Sequence, residues 1–306
     1  MRHMKMKDPN TIESLSNFIQ KTTELSTGTK SYRSLSVSSM NFFRGQANSS
    51  WVLEPKLYRE NLFQKEGVLI SELMRVSPSE FRDGDYFDKL VKMQHYGLPT
   101  RLLDTTLNPL IALFFACYDK SQRDADGSVY CFPQQPVFMQ NNTFISLVLK
   151  YIFEYSEFPL DIQNFRENVT KDTNLHSAHT MKIQTDKDIL HILKNIGHMA
   201  VVPRLSNLRI TVQDGAFFLF GMIIKNERVS NNPGTLGKKY YEFERIKFAN
   251  NTKAFGKGFE IMTVPAEYKT KILDELSSVG VSSNRIFPEL EHQAAFVTDK
   301  IRNEKK

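Results

Sequence analysis

The sequence predicts an α+β fold: a mixed or antiparallel sheet core with flanking helices and a helical insertion over residues 133–200. Three observations carry this. Helix-period apolar patterns come early, at residues 10–22, 66–76 and 79–95. Strand-like apolar runs crowd together from about residue 208. No regular strand–helix–strand alternation runs along the chain, which argues against a parallel α/β sheet.

Each element has a local reason. Ile12, Leu15, Phe18 and Ile19 share one face of the first helix. The Ser/Thr-rich stretch 26–40 predicts a loop, followed by a short strand from Met40 to Arg44 closed by Gly45. In the helix at 79–95, Tyr86, Phe87, Leu90, Val91 and Gln94 recur at helical spacing, and Gly97 followed by Pro99 ends it. Asn108-Pro109 starts another helix, because Asn caps well and Pro fits a first position that needs no N–H. The LIALFFACY that follows is apolar on all sides and predicts a buried helix. Asp126-Gly127 makes a turn into a strand over 128–132. The insertion carries helical patterns near 143–155 and 185–196. LRITV, AFFLFGMII, YYEFERIKF and GFEIMTVP then read as strands. Two helices close the chain, one from near Pro265 to Gly280 and one from near Pro288. The whole chain, 1–306, reads as one domain with a solvated tail at 303–306.

Composition narrows the function classes. Hydrophobic content of 41% and charged content of 24% are ordinary for a soluble globular protein. The 23 Phe predict a core rich in aromatic packing. A formal charge of +6 fits a polyanionic or phosphorylated partner, or solubility alone. No dense Lys/Arg block marks a nucleic-acid surface. Cys117 and Cys131 match no zinc spacing and read as reduced, packed thiols. The first residues lack the apolar segment of a secretory signal, and the run 216–224 is too short to span a bilayer. A cytoplasmic protein without membrane attachment is expected.

Candidate chemistry clusters in a few places, each with a plainer alternative. Arg44, beside Gly45 and Gln46, could grip a phosphate or carboxylate bidentately, or pair with a core carboxylate such as Asp104. His95 could act as a general acid or base or contact a ligand, or it could bond free carbonyls at a helix end. Asp104, Thr105 and Thr106 could form a phosphate or ribose cradle with the free N–H groups of the next helix, or could merely cap the turn. Arg101 with Asp104 makes a plausible buried pair. Gln213, read at a strand end, could orient a ribose hydroxyl or a nucleophile, or be a satisfied polar group. No metal site is expected, since His176 and His179 sit in an irregular polar segment. P-loop, GxGxxG, GxSxG and zincin motifs are absent.

Taken together, FFRGQ, WVLEPKLYR and QHYGLPTRLLDTTLNPLIALFFAC resemble the FRG-domain family, named for its Phe-Arg-Gly motif. RLSNLRITVQDGAFFLF and VGVSSNRIFPELEHQA extend the resemblance toward residue 300, leaving 133–200 uncovered. The family usually has Trp where Thr105 stands. A second similarity is to ADP-ribosyltransferase-like folds, in the order of parts. Arg44 ends an early strand, Thr105 and Thr106 lead into a helix carrying Ala112, Phe115 and Ala116, and Gln213 comes late. That resemblance implies NAD as a substrate. Arg44 with Gly45 and Gln46 would clamp its diphosphate, Thr105 and Thr106 would cradle it, and His95 or Tyr96 would bind the ribose or position the acceptor. Arg101 would be a second phosphate contact or the partner of Asp104. Gln213 would orient the acceptor, a protein or nucleic acid, while Asp104 or Glu291 would stabilise the oxocarbenium-like transition state. A toxin or defence effector in bacterial or phage conflict would fit such an activity. The alternatives are a non-catalytic module that senses a nucleotide or phosphorylated ligand, and a nucleic-acid-processing protein.

Overall fold

A small sheet that closes on itself forms the centre of the protein. The computed structural model describes residues 10–27, 39–140, 142–154, 160–171, 185–195, 198–205, 207–245 and 259–303. His176, His179, most of the loop expected at 26–40 and the end of the expected tail lie outside these residues. In chain order, α1 (Leu15–Thr27) precedes β1 (Ser39–Gln46), followed by α2 (Lys56–Arg59), α3 (Glu66–Val76) and α4 (Tyr86–His95). Next come β2 (Leu102–Thr106), α5 (Pro109–Tyr118) and β3 (Gly127–Met139). The middle of the chain holds α6 (Thr143–Glu154), β4 (Leu160–Asp161), α7 (Ile162–Lys171), α8 (Asp186–Asn195) and β5 (His198–Val202). The rest comprises α9 (Leu208–Val212), β6 (Gly215–Phe220), β7 (Met222–Val229), β8 (Lys239–Arg245), β9 (Glu260–Val264), α10 (Lys269–Ser278), α11 (Ser283–Ile286) and α12 (Leu290–Asn303).

The predicted α+β class holds, with one mixed sheet and one small antiparallel sheet. The order β1-β2-β6-β5-β3 closes through a β1–β3 pairing into a barrel-like ring, with β9 added on β3. Strand β3 serves three neighbours because it is long and bent. Residues 127–131 pair with β9 and residues 137–139 run parallel to β5. Between them Gln134 takes φ 50, and its N–H donates to Asn41 Oδ1 at 2.9 Å. A separate sheet, β4-β8-β7, stands beside the ring.

Strand β1 lies between two apolar layers, as strand alternation requires. Phe42 joins the larger core with Phe132, Phe218 and Phe220, whereas Phe43 joins the core built by α5, α10 and α11. Helix α5 packs closely on β1 because residue 45 is glycine. A Cβ there would lie 1.9 Å from the Ala112 carbonyl oxygen. On the far side, the buried Lys269 donates to the carbonyls of Ala47 and Gln122, at 2.6 and 2.8 Å, fastening the end of β1 to α10.

Several expectations are corrected. The first strand is not closed by Gly45 but runs through it to Gln46. The helix expected at 79–95 is a 3-10 turn at Pro78–Phe81 and then α4, which starts after the Asp85 cap. Gly84 at φ 85 separates the two. Residues 104–106, read as a cradle or as capping the turn before α5, lie in strand β2, and their backbone pairs with β6. LRITV is not a strand but helix α9, begun by Asn207, whose Oδ1 accepts from Ile210 N at 2.8 Å. Over so short a segment, a side-chain cap outweighs β-branched propensity. AFFLFGMII is two strands in different sheets, parted at Gly221. Residues 133–139 and 198–200, placed in the insertion, belong to sheet strands. Among the described residues no helix is long and apolar enough to cross a membrane.

Candidate functional site

The ring has a thin seam. Along β2, every residue pairs with β6, but β1 meets β2 at the single register pair Phe43↔Thr106. The two strands splay apart there, and a cavity of about 320 Å³ opens between them. Strand β1 contributes Phe43 and Arg44, the end of α4 contributes Gln94 and His95, and β2 contributes Asp104, Thr105 and Thr106. Phe115 of α5, Arg209 of α9, Gln213 just past it and the start of β6 also line the cavity.

Arg44 is the electrostatic centre. Register places it opposite Tyr130. Its Nη1 donates to the backbone carbonyl of Asp104, while its Nε is buried without a partner among the described residues. Burial pulls the guanidinium below its ordinary range, and the nearby Asp104 charge only partly opposes this. The side chain keeps some accessible surface within the cavity, as befits a group in a concave floor surrounded by protein atoms. A desolvated cation with an open donor favours an incoming anion.

The β2 wall is ordered around it. The Asp104 carboxylate does not bond Arg44; its Oδ1 accepts from Gln94 Nε2 at 2.6 Å. Thr105 is buried, and its hydroxyl has no partner among the described residues. Thr106 is committed: its hydroxyl donates to the Gln213 carbonyl at 2.7 Å and accepts from Asn108 N at 3.0 Å. Asn108 itself caps α5, accepting from Leu110 N at 3.0 Å. The helix N-terminus is therefore partly satisfied by its own cap.

The opposite wall is built by α4 and α9, backed by the chain's closing segment. His95 ends α4, with Nδ1 3.4 Å from Asn207 Nδ2. Desolvation and the nearby Arg209 lower its pKa, against Asp104 and Glu289. Arg209 pairs with Glu289 at 3.3 Å, and its guanidinium carbon lies 5.8 Å from the Phe287 ring centre. Gln213 caps the end of α9 and donates to the Ile286 carbonyl at 3.1 Å.

Thus Arg44, Gly45, His95, Asp104, Thr105, Thr106 and Gln213 converge on one cavity. Gly45 is there because α5 needs its missing side chain. Gln46, Tyr96 and Arg101 are not part of the lining. Gln46 is buried opposite Ser128 at the end of β1. Tyr96, past the end of α4, is 74% exposed. Arg101 is neither a phosphate contact nor the partner of Asp104. It is fully enclosed, with Nε donating to both Glu66 oxygens at 2.9 and 3.0 Å and Nη1 to the Phe220 carbonyl at 3.2 Å. Burial alone would lower its pKa; the Glu66 carboxylate reverses this and raises it. Burial pushes the thiols of Cys117 and Cys131 up to about 12, which keeps them unreactive. Among the described residues no cluster of His, Cys, Asp and Glu could hold a metal.

Sequence reasoning missed Gln94, Phe115 and Arg209 as lining residues. Arg209 lies four residues before Gln213, a spacing that puts both on one helix face once the segment is read as α9.

Residues 39–125 match the family model of the FRG domain. The matched stretch supplies Arg44, Gln94, His95, Asp104, Thr105 and Phe115; Arg209 and Gln213 lie beyond it. No curated protein and no solved structure matches the chain.

Proposed function

We propose that this protein, which carries an FRG domain over residues 39–125, binds NAD in the cavity between β1 and β2 and acts on it as an ADP-ribosyltransferase-like enzyme. The observation that carries the reading is Arg44: an enclosed guanidinium with an unpartnered Nε and, among the described residues, no carboxylate hydrogen-bonded to it. A diphosphate supplies the missing partner, and Arg209, on the facing wall, supplies a second cation. The unpartnered Thr105 hydroxyl suits a ribose hydroxyl.

In the reaction, the bond between ribose C1′ and the nicotinamide nitrogen breaks, and its electron pair leaves with nicotinamide. The carbon left behind is oxocarbenium-like and is stabilised by a nearby anion. Among the lining residues Asp104 is the carboxylate that can serve. An acceptor nucleophile, oriented by Gln213, then bonds C1′ and gives its proton to His95. Desolvation and Arg209 favour the neutral form of His95, which is the form able to accept that proton.

The test is to incubate the protein with NAD and measure nicotinamide release together with NAD affinity. Arg44→Ala and Gln213→Ala should each abolish release while the melting temperature holds. Turnover that is the same in both variants as in the unaltered protein would sink the assignment. One observation favours a sensing module instead: the Gln213 amide donates to Ile286, inside the closing segment, so the site is wired to the C-terminal helices. Saturable NAD binding with no nicotinamide released over hours would select that reading.

A further inference from the structure

Gln94 is held by one neighbour and holds another. Its Oε1 accepts from the Thr100 hydroxyl, and its Nε2 donates to Asp104 Oδ1 at 2.6 Å. Thr100 is buried, and its Oγ1 also accepts from Leu102 N at 3.2 Å. A hydroxyl has one proton to give. With the Leu102 N–H at its oxygen, Thr100 gives that proton to Gln94. The amide is thereby fixed with its NH2 toward Asp104, since the flipped amide would set two acceptors against each other and leave the buried Thr100 proton unmet. Arg44 grips the same residue at its main-chain carbonyl. Asp104 is thus fixed at the backbone and at one carboxylate oxygen, while Oδ2 has no protein partner among the described residues.

We propose that Gln94 is a positioning residue: locked by Thr100, it holds the Asp104 carboxylate at the cavity wall with Oδ2 free for the substrate. This rests on the reading of Asp104 as the anion that stabilises the departing ribosyl cation. Gln94 and Thr100 act through Asp104 and form one unit, so their contributions do not add.

The experiment compares Gln94→Ala, Thr100→Val, Thr100→Ser and the Gln94→Ala/Thr100→Val double variant, with kcat and KM for nicotinamide release and NAD affinity by calorimetry. Gln94→Ala and Thr100→Val should each lower kcat by about ten- to a hundredfold, the scale of losing orientation at a reacting centre. KM and the NAD Kd should stay within about twofold, because the diphosphate grip is untouched. Thr100→Ser should keep the unaltered rate, and the double variant should be no slower than Gln94→Ala. Unchanged kcat in Gln94→Ala, additive losses, or a Thr100→Ser as slow as Thr100→Val would overturn the proposal. If the unaltered protein releases no nicotinamide, the enzymatic reading fails by itself. A crystal structure of Gln94→Ala then decides the positioning role: a displaced Asp104 carboxylate supports it, and an unmoved one overturns it.

Discussion

Two enclosed guanidinium groups stand in the same part of the fold and are treated in opposite ways. Arg101 spends its donors on Glu66 and the Phe220 carbonyl, and its guanidinium carbon lies 5.4 Å from the Phe63 ring centre. Arg44 reaches one backbone carbonyl and leaves Nε open. The first arrangement makes a structural joint: a paired, hydrogen-bonded ion pair between α3 and the start of β2. The second leaves binding capacity unspent. Burial alone therefore does not distinguish the two arginines; unmet hydrogen bonding beside a cavity does.

The largest expected effect breaks the structural member of the pair. Glu66→Ala strands the Arg101 charge in the interior and should cost about 3–5 kcal/mol of stability, read as a fall in the denaturant midpoint. Next is the floor on which Arg44 stands. Gly45→Ala sets a methyl group into the Ala112 carbonyl and should cost about 3 kcal/mol, with NAD affinity falling as α5 and β1 move apart. Arg44→Ala should do the reverse of Glu66→Ala: the midpoint stays within error while NAD binding weakens by about 2 kcal/mol in calorimetry, the worth of a hydrogen bond to a charged group. A large stability loss in Arg44→Ala would erase the contrast between the two arginines.

The smallest effect concerns His95. Its folded pKa lies below the ordinary 6.5, so between the two values the unfolded chain binds the proton more readily. Stability should decline as pH falls from 6.5 through the folded pKa, and the decline should vanish in His95→Gln. On the proposed role of His95 as proton acceptor, the same lowering should let nicotinamide release persist to a pH below 6.5, measured as a rate profile.

Much of this was readable from residues alone. Asn108 caps α5 as its type and the following Pro109 indicate, and the all-apolar helix is buried. Arg44, His95, Asp104 and Gln213 do reach one cavity. What escaped depends on distance along the chain or on company from other elements. Arg101 finds Glu66 thirty-five positions away, and no local pattern announces that pairing. Gly45 serves a helix that arrives only in the folded protein. In α9, Ile210, Thr211 and Val212 carry strand propensity that five residues under a cap do not express. Reading that segment as a strand hid Arg209: a strand sets residues four apart on one face but about 13 Å from each other, whereas one helical turn brings them together.

The seam has one more consequence, for where this fold can be cut. Residues 39–125 contain β1 and β2, which touch at a single register pair, while their other partners β3 and β6 lie downstream. Lys269, which fastens Ala47 to Gln122, also comes from outside that span. An isolated 39–125 fragment would have two nearly separate strand edges and no ring to hold them. The matched stretch is thus an incomplete part of the ring, and cooperative unfolding should take the whole ring as its unit.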